Sequence, residues 1–73
     1  MDDIKIKLIE LLREIYDNRD FVGGTMSNCG NEEAWKKMYE YITFAREHGE
    51  EVTSDEILLL SLKFGEEIAM AAS

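Results

Sequence analysis

Val52-Thr53-Ser54-Asp55-Glu56-Ile57-Leu58-Leu59-Leu60-Ser61-Leu62-Lys63-Phe64-Gly65-Glu66-Glu67-Ile68-Ala69 is the stretch on which the reading of the fold turns. Thr53 and Glu56 stand in the order of a capping box, with Thr53 at the N-cap and Glu56 reaching back from the third helical position. Val52 and Ile57 flank the box and are placed to close a hydrophobic staple across it. A helix is therefore expected from about Ser54 to Ala71. Its apolar residues do not keep to one face. Ile57, Leu60, Phe64 and Ile68 form one line, and Leu58, Leu62 and Ala69 form another. A helix apolar on two sides is either central to its own bundle or shared with a second chain.

Upstream, residues 32–48 carry the same helical period. Trp35, Met38, Tyr39, Ile42 and Ala45 make the stripe expected to be buried, flanked by Ala34, Tyr41 and Phe44. Asn31 is placed as N-cap, Glu32 and Glu33 suit the positive end of the dipole, and His48-Gly49 reads as the stop. Residues 3–17 form a further amphipathic segment, with Ile4, Leu8, Leu11, Leu12 and Ile15 on one face and Ile9 and Tyr16 widening it. Asp2 or Asp3 is placed to cap it. Between these two lies a polar break and then Phe21-Val22-Gly23-Gly24-Thr25-Met26. Phe21, Val22 and Met26 have the spacing of a helical turn, so a short helix over 20–28 is expected, with Asp20 as its N-cap. Its paired glycines are read as permitting close packing against a neighbouring helix. Ser27-Asn28-Cys29-Gly30-Asn31 is then a loop. The expectation is an all-α chain: a small three-helix bundle with an additional short helix between the first and second long helices. Residues 1–73 form a single domain.

A chain of 73 residues lies near the lower limit at which one core holds a fold. Cys29 is the one cysteine, so no internal disulfide can staple it, and a lone thiol suits a reducing compartment. The opening Met-Asp-Asp-Ile-Lys lacks the apolar run of a signal peptide, and no stretch approaches the ~18 apolar residues of a membrane span. A cytoplasmic location and no membrane contact are expected. Eight basic against sixteen acidic residues give a formal charge of −8, and residues 50–73 hold six of the acidic residues against Lys63 alone. Such a surface repels phosphates, so nucleic-acid binding is not expected.

No catalytic motif is present. Cys29 and His48 are a thiol and an imidazole without a recognisable orienting group or oxyanion loop, and read as structural residues. Zinc needs about four ligands, which these two residues do not supply. The carboxylate pairs Glu32-Glu33, Glu50-Glu51, Asp55-Glu56 and Glu66-Glu67 sit at helix ends or on solvated faces, where capping and solubility account for them. Glu50, Glu51, Asp55 and Glu56 lack the ligand order and glycine of a calcium loop. Gly23-Gly24 has neither the preceding strand nor the lysine of a phosphate loop. No metal or other cofactor is expected. Trp35 and Tyr39 read as core anchors. Tyr41 points away from their stripe, and with Lys37 and Phe44 it forms a candidate contact surface.

From Asp17 to Gly65 the chain resembles small uncharacterised all-helical proteins carried by phages and other mobile elements of gut Firmicutes. The resemblance rests on Asp20-Phe21-Val22-Gly23, Ser27-Asn28, Asn31-Glu32-Glu33-Ala34-Trp35-Lys36-Lys37-Met38-Tyr39-Glu40-Tyr41-Ile42 and Val52-Thr53-Ser54-Asp55-Glu56. It implies a setting, an accessory protein of a mobile element, and carries over no functional residues.

These observations converge on a small acidic helical interaction protein, not an enzyme, that binds a macromolecular partner as an inhibitor or accessory factor. Self-association, most simply as a dimer, is expected through Leu58, Leu62 and Ala69 of the last helix. Covering that second apolar line requires another chain or the glycine-containing short segment. The alternative is an oligomeric binder of a small nucleotide, for which Arg13, Arg19, Lys36 and Lys37 are the available basic residues.

Overall fold

Three polar side chains and two left-handed glycines cut the chain into helices. The computed structural model describes residues 3–72. In them lie α1 (Asp3–Ile15), α2 (Arg19–Cys29), α3 (Glu32–Glu47) and α4 (Ser54–Ala72). Asp3 is the first residue of α1, and Asp2 lies outside the described residues. α1 ends two residues before the expected boundary because Asn18 takes an extended conformation (φ −134°, ψ 123°) to cap the next helix. The Asn18 carboxamide oxygen accepts from the backbone N–H groups of Asp20 (2.9 Å) and Phe21 (3.1 Å). The N-cap of α2 is therefore Asn18, not Asp20. Asp20 sits inside the first turn, donating its own N–H and placing its charge at the positive end of the dipole.

α2 runs on through Cys29 and stops at Gly30, whose φ of 72° is open to glycine at no steric cost and whose N–H donates to the Met26 carbonyl at 3.1 Å. Asn31 immediately caps α3, its side-chain oxygen accepting from Ala34 N–H at 2.9 Å. α3 closes in a Schellman motif: Gly49 (φ 73°) donates to Arg46 O, and Glu50 N–H returns to Ala45 O. Thr53 Oγ1 accepts from Glu56 N–H at 3.2 Å, and Val52 and Ile57 are both buried, which is the staple read from the sequence.

Pairings along the helices set their directions. Lys5 meets Trp35, and Glu14 meets Arg46, so α1 and α3 run the same way. Gly24 faces Leu58, Asn28 bonds Ser61, and Cys29 abuts Gly65, so α2 and α4 are likewise parallel. Lys37 meets Glu67 while Tyr41 meets Glu56, which makes α3 and α4 antiparallel. The fullest contacts are α2 with α4 and α1 with α3, next-but-one helices, while α1 and α4 scarcely touch. Short links thus make sequential helices antiparallel, but the tightest packing lies between parallel ones.

The core consists of Leu8 and Leu12 from α1, Phe21 and Cys29 from α2, Ala34, Met38, Ile42 and Ala45 from α3, and Ile57 and Phe64 from α4, with Val52 closing one end. Trp35 and Tyr39 are half-buried against it, and the Trp35 indole N–H donates to the Met26 carbonyl at 3.1 Å, fastening α3 to the end of α2. Among the described residues, two polar side chains are fully buried and satisfied. Thr25 donates to Phe21 O, and Ser61 donates to Leu58 O while accepting from Asn28.

The glycines behave differently from the sequence expectation. A Cβ on Gly23 would meet nothing within 4 Å, and one on Gly24 would reach Leu58 at an ordinary 3.8 Å. Neither is a close-packing position. Gly65 is: a Cβ there would overlap the Asn28 carbonyl oxygen and lie 3.1 Å from that of Cys29. α4 crosses the end of α2 so closely that only glycine fits.

Candidate functional site

Lys37 and Tyr41 lie one turn apart on α3, along its seam with α4. The Lys37 ammonium donates to Glu67 at 2.8 Å and lies 4.8 Å from the centre of the Phe64 ring. Its hydrogen bond and charge hold the Glu67 carboxyl below the usual carboxylate range. Tyr41 packs edge-on against Phe64 with ring centres 6.2 Å apart, and its hydroxyl donates to Glu56 at 3.2 Å. Desolvation against α4 and the neighbouring Glu56 carboxylate both raise the phenol pKa. The Glu56 carboxylate is thus engaged with Tyr41 on α3 instead of reaching back to the Thr53 N–H as expected, and the half of the capping box that forms is the bond from Glu56 N–H to Thr53 Oγ1. Phe44 is 62% exposed and stacks on His48, ring centres 4.2 Å apart at the last turn of α3. Of the candidate contact surface, then, Lys37 and Tyr41 are engaged with α4, and Phe44 stands open beside His48.

The second candidate face lies on α4. Ile57, Ser61 and Phe64 point into the core, and α2 covers the flank that holds Leu58 and Gly65. Leu58 is consequently half-buried against the core rather than on an open edge. Leu62 and Ala69 are exposed, and Leu59, which belongs to neither line drawn from the sequence, is 69% exposed beside Leu62 at 46%. Asp55, Lys63 and Glu66 share this outward side. Leu59 lies one position past Leu58, about 100° further round the helix, and only the placement of α2 tells which of the two is covered. A shallow depression lined by Asn31, Glu32, Glu33, Ile68 and Ala69 adjoins the far end of the strip. It is acidic.

Other sequence candidates are kept apart. Cys29 is buried at the end of α2 beside the start of α3, not in a loop, whereas His48 caps the opposite end of α3. A 16-residue helix spans about 24 Å, so the thiol and imidazole do not meet. Burial pushes the Cys29 thiol up to about 11, which keeps it protonated and a poor nucleophile. Arg13 and Arg19 lie where α1 passes into α2, while Lys36 and Lys37 lie in the first half of α3, alongside the opposite end of α1. The four basic residues therefore do not converge. Among the described residues no group of three His, Cys, Asp or Glu side chains is placed to hold a metal ion, and no helix is long and apolar enough to cross a membrane.

No protein-family model, curated protein or solved structure matches the chain.

Proposed function

We propose that this chain is a small acidic interaction protein, cytoplasmic and non-enzymatic, that acts by binding a macromolecular partner, the first such partner being a second copy of itself. The observation that carries this reading is the outer face of α4. The core closes without Leu59 and Leu62, yet both stand exposed one turn apart on the same side of the helix. Leucines so placed are explained by a contact made outside the chain. Two-fold pairing is the commonest way to cover such a face, and it also supports a core that is small at this length. For the fold, this reading takes α1, α3 and α4 as the three long helices and α2 as the additional shorter helix that fills the space between α1 and α4 and packs along α4. Its setting, on the resemblance of residues 17–65, is a phage or mobile element in which the protein serves as accessory factor or inhibitor.

Multi-angle light scattering on the purified chain tests the reading. The expected result is a concentration-dependent dimer that tightens with added salt, because each copy carries a formal charge of −8. Leu59→Glu with Leu62→Glu should yield a monomer that keeps its helical circular dichroism, since neither leucine belongs to the core, and melts at a lower temperature that no longer depends on concentration. One chain's mass at every concentration and salt level would overturn self-association.

A further inference from the structure

Taking that self-association as its premise, we propose that the two copies pack their α4 helices antiparallel, each Lys63 pairing with Glu66 of the other copy. The order of residues along the exposed side of α4 carries the argument. Reading outward positions in sequence gives Asp55, Leu59, Leu62, Glu66 and Ala69, the 4-3 spacing of a helix–helix seam, with Lys63 at its border. Glu66 lies within this seam, between Leu62 and Ala69, so any pairing must find a partner for its carboxylate.

A parallel pair gives it no partner beyond Lys63 of its own helix, one turn back. In a parallel two-fold arrangement each residue faces its own counterpart, so Glu66 meets Glu66 and Lys63 meets Lys63, and like charges facing one another oppose association. An antiparallel pair about a two-fold axis near Phe64 resolves both conflicts. Leu62 then lies against the methylenes of the opposite Glu66, and Leu59 lies across from Ala69, a large side chain against a small one. Lys63 falls within about 1.5 Å, along the axis, of the opposite Glu66. Two ion pairs form, related by the symmetry. At the start of the helix, Asp55 passes beyond the other helix's Ala69 and keeps its carboxylate in water.

Glu66→Lys separates this geometry from general repulsion. The substitution changes the net charge from −8 to −6, since a −1 group becomes +1. If net repulsion alone governed pairing, or if the helices ran parallel, the dimer would hold its affinity or tighten. The antiparallel pairing predicts the reverse, a weakening of about tenfold in Kd, because the introduced ammonium now faces Lys63 of the other copy. Lys63→Glu combined with Glu66→Lys exchanges the partners, restores the charge to −8, and should return the affinity to that of the parent chain.

Sedimentation equilibrium of the parent chain and these variants is the experiment, with disulfide trapping as a second readout. Leu59→Cys alone should not cross-link within the dimer, because the two positions lie about 15 Å apart along the axis, whereas Leu59→Cys with Ala69→Cys should. Loss on Glu66→Lys, recovery in the double exchange and trapping only of the cysteine pair support the proposal. A parent dimer that tightens with Glu66→Lys, or that traps readily through Leu59→Cys alone, overturns the antiparallel arrangement and leaves self-association standing. A parent chain that is monomeric throughout overturns both.

Discussion

The α1–α3 pair and the α2–α4 pair hold the same molecule together by different means. α1 and α3 bury long side chains, Leu8 and Leu12 on one helix and Met38 and Ile42 on the other, and the exposed Glu14–Arg46 pair adds little. α2 and α4 also contribute Phe21, Ile57 and Phe64, but where they cross, Gly65 lies against the Asn28 and Cys29 carbonyls and Ser61 accepts a hydrogen bond from Asn28. The first pair resists loss of volume. The second resists gain, because backbone has already come against backbone. A stripe of large apolar residues and a patch of small ones can therefore do equal structural work, though only the first stands out as a hydrophobic pattern.

Substitutions of opposite kind separate the two. Leu12→Ala removes volume at a fully buried site and should destabilise the fold by about 2–5 kcal/mol, read from the midpoint of urea unfolding. Gly65→Ala adds one methyl group, yet should cost about 3 kcal/mol because the new Cβ overlaps a backbone carbonyl that cannot rotate away. If Gly65→Ala leaves the midpoint unchanged, the two pairs are packed alike and the contrast fails.

The buried thiol at the α2–α4 crossing sharpens the comparison through pH. The folded-state pKa of Cys29 is raised to about 11 from an ordinary 9.0, so the folded chain resists ionisation that the unfolded chain permits. The contribution is fully present below the unfolded value and is lost as pH rises through the folded one. Stability should fall by on the order of 2 kcal/mol across that window relative to Cys29→Ala, which has no thiol to titrate. Parallel alkaline profiles for the two proteins would contradict this. The smallest effect is a gain. Gly23→Ala places a methyl in open space on α2 and should stabilise the chain by about 0.5–1 kcal/mol through helix propensity, seen as a higher melting temperature. A loss there would mean that α2 does use its paired glycines for close contact.

Local chemistry is enough to place the Thr53 cap, the Val52–Ile57 staple and the Gly49 stop, because each depends on residues a few positions apart. The cap of α2 is harder to read. The sequence reading puts it at Asp20, whereas Asn18 holds it and Asp20's own N–H is one of the groups that Asn18 caps. Gly23-Gly24 weakens the helical signal enough that Cys29 reads as loop, although the helix runs past both glycines. On the candidate faces, Tyr41 and Phe44 lie outside the buried stripe, as their positions in the helical period require. The same period does not distinguish Leu58 from Leu59 on α4.

The sequence by itself determined that the chain is helical, where its helices begin and end to within a few residues, and which side of α1 and α3 faces inward. These follow from hydrogen bonds and side-chain periods that close within a turn or two of one segment. Tertiary structure decided what depends on a neighbour's position: that α1 and α3 run parallel, that Gly65 rather than Gly23-Gly24 is the residue of closest approach, and that Leu59 and Leu62 are left outside. Gly65 carries no side chain to signal its role, and Leu58 and Leu59 are chemically the same. Only the path of α2 across α4 makes one leucine part of the core contacts and leaves the other open to solvent.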